Sequence, residues 1–267
     1  MNTPVDILQE ITGIASGQAQ LAGLALVRVV GMVGLMPVLG STSIPRTARV
    51  GLALGLTVCI FPTLAPHTAA LPGDLFGYAG LALRELVVGL LAGWAFSMVF
   101  QVTEIAGAMI DLQAGFSMVE LFDPTTGEST HLFGQFLGIC ATVSFMAGGG
   151  FSHLVGALAD SFRTIPLVEV HLNAATTVPI AISITGNALY LGLQMAGPVL
   201  MALLMLSIVM AIVSRIMPGM NTWILAMPLQ VVVACLVTAV SLPTIMGAFH
   251  GWEDQVVRSA SKMLQGG

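Results

Sequence analysis

Apolar runs at 20–39, 50–66, 77–102, 105–119, 131–158, 178–213 and 223–247 take up most of this sequence, with few charges between them. A helix needs roughly 20 apolar residues to cross a hydrocarbon core of about 30 Å. The runs 20–39, 77–102, 131–158 and 223–247 meet that length, 50–66 is marginal and 105–119 is short. The run 178–213 exceeds one span and holds Gly197-Pro198, where proline removes a backbone donor and crowds the preceding turn, so a break is expected there. Open strand edges are untenable in lipid, so about six to eight helices and no sheet are predicted. The expected fold class is all-α: a hydrophobic, membrane-associated chain of many helices, several kinked or broken.

Composition closes off the soluble alternatives. Of the 267 residues, 56% are hydrophobic and 8% charged, whereas a soluble domain carries roughly 25% charged residues. Such a chain cannot clothe a water-facing surface; it belongs in lipid or in an assembly that takes lipid's place. With a net charge of −5 and eight Lys plus Arg it cannot neutralise a run of phosphates, so nucleic acid is not an expected partner. Cys59, Cys140 and Cys235 stand alone in apolar runs and read as small buried hydrophobes. No Lys or Arg precedes Arg28, while Asp6 and Glu10 do, which argues against a cleavable signal peptide. Arg46 and Arg49 favour the cytoplasm for the loop after the first run. Arg84, Arg163, Arg215, Arg258 and Lys262 are too sparse to orient the rest.

Motifs of catalysis do not occur. The sequence has no HExxH, P-loop or dinucleotide fingerprint. Ser117 sits in Gly-Phe-Ser-Met-Val, without the second glycine of a nucleophile elbow. No catalytic residue, metal or cofactor is therefore expected, and the chain is not expected to be an enzyme.

The placement of small and polar residues is more informative. Gly51 and Gly55, Gly89 and Gly93, and Gly134 and Gly138 are each four apart, the spacing that lets helix backbones approach within one subunit or against another. Arg84-Glu85 opens the helix that carries Gly89 and Gly93. At helical spacing Ser97, Gln101, Glu104, Ala108, Asp111 and Gly115 share a face. Carboxylates on it would be costly against lipid, so Gln101, Glu104 and Asp111 are expected to meet partners or a water-filled space. The alternative is that Glu104 and Asp111 mark the exit of the helix from the membrane. Arg28, midway along the first run, has to snorkel or find an acidic partner, which the sequence does not name. The stretch IDLQAGFSMVELFDPTTGEST (110–130) passes from an apolar, helix-like run into Gly-Phe-Ser-Met and breaks at Asp123-Pro124.

Taken in order, Arg28, MPVLGSTSIPRTARVGLALGLTVCIFPTL (36–64), RELVVGLLAG (84–93), EIAGAMIDLQAGFSMVELFDP (104–124) and RIMPGMNTWILAMPLQ (215–230) form one series. The series resembles the FliR/SctT family of the type III protein-export apparatus, its flagellar branch most, over nearly the whole chain. Gly219 departs from the pattern, since the family usually has Gln after the proline.

The resemblance implies a pore-forming structural subunit of an export gate that passes unfolded flagellar proteins across the bacterial inner membrane, at the flagellar basal body. It implies one copy per complex with FliP-like and FliQ-like subunits, alongside FlhB-like and FlhA-like export proteins. In such a gate the apolar helices pack on one another and are lifted toward the periplasm. It further implies a FliP-like part over 1–165 and a FliQ-like hairpin with a C-terminal tail over 166–267, the boundary falling in 159–177. The segment matching Gly115 to Pro124 would be a plug in the pore, with Gly115, Phe116, Ser117, Met118, Val119, Leu121, Phe122, Asp123 and Pro124 as its residues. A virulence-type export subunit is the alternative within the family. A small-solute transporter, which would need an ionisable midplane site at Glu104 and Asp111, is the alternative outside it.

Overall fold

The computed structural model describes residues 4–36, 45–64, 72, 74–116, 131–167, 174–217, 219 and 221–265. Among them are seven helices and no strand: α1 (Pro4–Leu35), α2 (Arg46–Leu64), α3 (Leu75–Ala114), α4 (Leu132–Ala147), α5 (Gly150–Thr164), α6 (Ala174–Ile216) and α7 (Thr222–Gln265). The fold class is all-α. Four stretches are long and apolar enough to cross a membrane: Gly17–Leu35, Leu75–Ala114, Ala175–Ile216 and Ile224–Met263.

Three boundaries differ from the sequence reading. The runs 77–102 and 105–119 share one helix, α3, which continues through Glu104 to Ala114. The expected break at Gly197-Pro198 is not there; α6 is helical throughout, because one missing rung does not end a ladder this long when the surroundings are apolar. The run 131–158, by contrast, is not one helix. It breaks at Gly148-Gly149, where Gly149 takes φ 77° and the Gly148 N–H still closes on the Ser144 carbonyl at 2.9 Å. Only glycine adopts that backbone cheaply, so the chain leaves α4 there and starts α5.

The chain forms two compact units, the first from residues 1–97, 151–181 and 257–267, the second from 98–150 and 182–256.

In the first unit α1 buries Leu24, Ala25, Val29, Met32 and Val33 against Ala53, Leu56 and Ile60 of α2, Leu81, Ala92 and Phe96 of α3, and Leu154, Leu158 and Phe162 of α5. Positions four apart recur on α1, which gives the face one stripe per turn. The Gly89 and Gly93 pair is where α3 meets α1. A Cβ on Gly89 would overlap the Arg28 carbonyl, and one on Gly93 would meet the Met32 carbonyl. Gly51 and Gly55 have the same spacing on α2, yet a Cβ there would meet nothing within 4 Å.

The second unit is built around Phe100 of α3, Phe145 of α4 and Phe249 of α7. The Phe100 ring is edge-on to Phe145 at 5.2 Å and tilted against Phe249 at 6.1 Å, separations at which aromatic pairs attract. The Trp252 indole N–H donates to the Met98 carbonyl at 3.0 Å. Gly192 lets α6 rest on Ile105 and on the Val102 carbonyl of α3.

Among the described residues, much of α6 and α7 is left uncovered. In their most apolar stretches 17% and 11% of residues are buried, against 56% in α3. Ile182, Tyr190, Met205 and Ile212 of α6 and Ile224, Leu236 and Val240 of α7 are exposed. Apolar surface on that scale marks contact with lipid or protein.

Candidate functional site

The segment that the resemblance makes a plug lies in the sequence between the end of α3 and the start of α4. Its described ends form a compact base. At the departing end the helix closes with a Schellman motif: the Phe116 N–H donates to the Asp111 carbonyl at 3.0 Å and the Gly115 N–H to the Leu112 carbonyl at 3.4 Å. Gly115 stands at the position where that motif turns left-handed, with φ 90°.

At the returning end α4 is capped in an unusual way. Its N-cap residue, His131, makes no side-chain cap bond. The carboxylate of Asp111 takes that place from α3. Its Oδ1 accepts the Phe133 N–H at 3.0 Å and its Oδ2 the Gly134 N–H at 3.2 Å. These are the second and third helical positions, whose N–H groups an N-cap side chain normally satisfies. The negative charge also lies at the positive end of the helix dipole. Asp111 is 1% exposed, so the interaction is sheltered from water. The reach is possible because α3 and α4 touch backbone to backbone; a Cβ on Gly107 would overlap Gly134 Cα. The Phe116 and Phe133 rings, one at each end, lie 6.1 Å apart.

The expected site residues are therefore distributed as follows. Gly115 and Phe116 form the departing end, both half-buried; Ser117, Met118, Val119, Leu121, Phe122, Asp123 and Pro124 lie outside the described residues. Glu104 is exposed and Gln101 half-buried. Asp111, expected to face a partner or a water-filled space, is instead enclosed by its own chain, because α4 offers it two N–H groups. Among the described residues no group of three or more His, Cys, Asp or Glu is placed to hold a metal.

Sequence reasoning missed a second buried charge site, in the first unit. Arg28, 1% exposed, pairs through Nε with Oε2 of Glu85 at 2.6 Å. Its Nη1 donates to the Ser161 carbonyl at 3.0 Å and the Ile165 carbonyl at 2.9 Å, at the C-terminal end of α5. The guanidinium carbon lies 4.5 Å from the centre of the Phe162 ring, within cation–π range. A cation at a helix C-terminus complements the dipole there, so one side chain joins α1, α3 and α5. The signal for Glu85 was available. It lies four residues before Gly89, hence on the α3 face that the glycine pair turns toward α1, whereas Arg84 is exposed.

Known proteins similar to this chain align with it over most of its length. Over 221 residues the chain is 27% identical to the flagellar biosynthetic protein FliR of Escherichia coli (strain K12), covering 82% of this chain and 83% of that protein. The FliR of Aquifex aeolicus (strain VF5) is 29% identical over 224 residues, 83% of this chain and 85% of the relative. The Yop proteins translocation protein T of Yersinia pestis is 27% identical over 193 residues, 72% of this chain and 74% of the relative. Residues 19–255 match the family described as bacterial export proteins, family 1, and since that match takes in most of the chain and both charge sites, the chain belongs to that family.

Proposed function

We propose that this chain is a pore-forming structural subunit of a flagellar type III export gate in the bacterial inner membrane, at the basal body, with no chemistry of its own. The observation that carries the reading is the family match over residues 19–255, together with flagellar relatives that align over more than four-fifths of this chain. In this reading one copy joins FliP-like and FliQ-like subunits, works beside FlhB-like and FlhA-like proteins, and passes unfolded substrates. The uncovered apolar faces of α6 and α7 support it, since lipid or neighbouring subunits have to cover them.

The segment from Gly115 to Pro124 then serves as the pore's seal. Phe116, Met118, Leu121 and Phe122 bring apolar bulk, and methionine deforms around a gap. A hydrophobic constriction that excludes water and ions is a physical way to hold a pore shut.

The test is the native mass of the complex obtained when the tagged chain is gently extracted in detergent. An assembly several times the mass of the chain, containing FliP-like and FliQ-like subunits, is the expected result. A stable monomer or homodimer without them overturns the reading. The Yersinia relative favours a second reading, a virulence-type export subunit. Deleting the gene separates the two: loss of flagellar filaments supports the first, and loss of effector secretion with intact filaments supports the second.

A further inference from the structure

We propose that Asp111 is a cross-loop tether, a positioning residue that fixes where the chain leaves α3 against where it re-enters α4. As a positioning residue for the seal, it rests on the pore-sealing reading above.

One residue holds both ends. Its backbone carbonyl accepts the Phe116 N–H that closes α3, and its two carboxylate oxygens accept the Phe133 and Gly134 N–H groups that open α4. Capping alone does not require this arrangement. A Ser or Asp at the N-cap itself accepts from one or other of the same two positions, and that place is held by His131, which makes no such bond. What a cap from α3 adds is a link across the loop, and the surrounding residues are shaped for it. Gly107 and Gly134 bring the two backbones into contact, and burial of Asp111 keeps water from competing for the N–H groups. Phe116 and Phe133 pair across the same gap.

Local capping and cross-loop linkage can be separated by moving the cap. Asp111→Ala removes both. Adding His131→Ser to it returns a cap to α4 without the link to α3. Each variant is purified as the whole export complex and compared with wild type and with deletion of residues 117–122. One readout is potassium efflux from phosphatidylethanolamine–phosphatidylglycerol vesicles carrying the complex. The other is the distance between spin labels on Gln113→Cys and Gln135→Cys, in a background with Cys59, Cys140 and Cys235 replaced by Ala.

Asp111→Ala is expected to broaden the distance distribution and to leak toward the level of the deletion. His131→Ser added to it is expected to recover complex yield and neither of the other two. A tight, narrow-distance double variant overturns the proposal, because a local cap then suffices. So does an Asp111→Ala complex that leaks no more than wild type while the deletion leaks. If the deletion itself stays tight, the pore-sealing reading falls, and the label distance alone decides the tether: broadening supports it, an unchanged distance overturns it. Should Asp111→Ala fail to assemble, Asp111→Asn, which keeps one of the two bonds to α4, is measured instead: a partly broadened label distance supports the tether, and an unchanged one overturns it.

Discussion

Each compact unit buries a charge against a helix end, and the two do so with opposite signs and different security. In the first unit Arg28 sits on the C-terminal carbonyls of α5, and a full counter-charge, Glu85, lies 2.6 Å away. In the second Asp111 sits on the N-terminal N–H groups of α4 and is held by those dipoles. The first arrangement is locked: removing either partner leaves a buried charge without the opposite charge it is paired with. The second is held by bonds that a local side chain could replace. The difference assigns the Arg28 site to the integrity of the fold and the Asp111 site to the placement of a segment.

The largest effect should come from breaking the ion pair. Arg28→Ala is expected to cost about 3–5 kcal/mol, because Glu85 is left buried without its counter-charge. The readout is thermal unfolding of the chain in detergent, together with its abundance in cells. Replacing both residues, Arg28→Met with Glu85→Leu, should recover much of that loss, since buried pairs exchanged for packed apolar groups are often near neutral. If the double variant is no better than the single one, the carbonyl bonds to α5 outweigh the ion pair and the comparison needs redrawing.

Next come the glycine contacts on which both sites rest. Gly89→Ala would drive a methyl into the Arg28 carbonyl, and Gly107→Ala would drive one into Gly134 Cα. In both cases the obstacle is backbone, which cannot step aside as a side-chain tip can. A loss of about 1–3 kcal/mol is expected for each, the range for overpacking a tight core. Gly51→Ala is the control. Its methyl meets open space, so the isolated chain should gain roughly 0.5–1 kcal/mol from the lower cost of alanine in a helix. A large loss at Gly51 in the same unfolding measurement would show that the spacing motif, not the contact, sets the cost.

That control also shows how far the sequence could be read. Long apolar runs and scarce charge led to an all-α chain, because lipid-like surroundings leave the backbone little choice. The turn at Gly148-Gly149 was written in a run of glycines, but Pro198 looked like a break and is not one, since helical continuity depends on length and neighbours as well as on a single rung. The pairs Gly51/Gly55 and Gly89/Gly93 are indistinguishable by spacing, yet among the described residues the second lies against another helix and the first meets nothing within 4 Å. Arg28 announced that it needed a partner, and helical phase from Gly89 could have pointed to Glu85. The role of Asp111 was out of reach. It depends on α4 coming back onto α3, so that Phe133 meets Asp111 from 22 residues later in the chain, a contact that no local pattern records.

The smallest loss expected, and the one that bears most directly on the comparison, is that of Asp111→Asn. The amide oxygen can still accept one of the two N–H groups, but the amide nitrogen would face the other, setting donor against donor. The charge that favours the helix N-terminus is lost as well, worth about 0.3–1 kcal/mol by itself. Asparagine should therefore cost about 1 kcal/mol in thermal unfolding, close to the loss of an ordinary cap. Adding His131→Ser should return most of it, because Phe133 and Gly134 regain an acceptor from the N-cap position. A cost at Asp111→Asn as large as that of Arg28→Ala, unmoved by His131→Ser, would mean that the second unit is locked by its charge as firmly as the first.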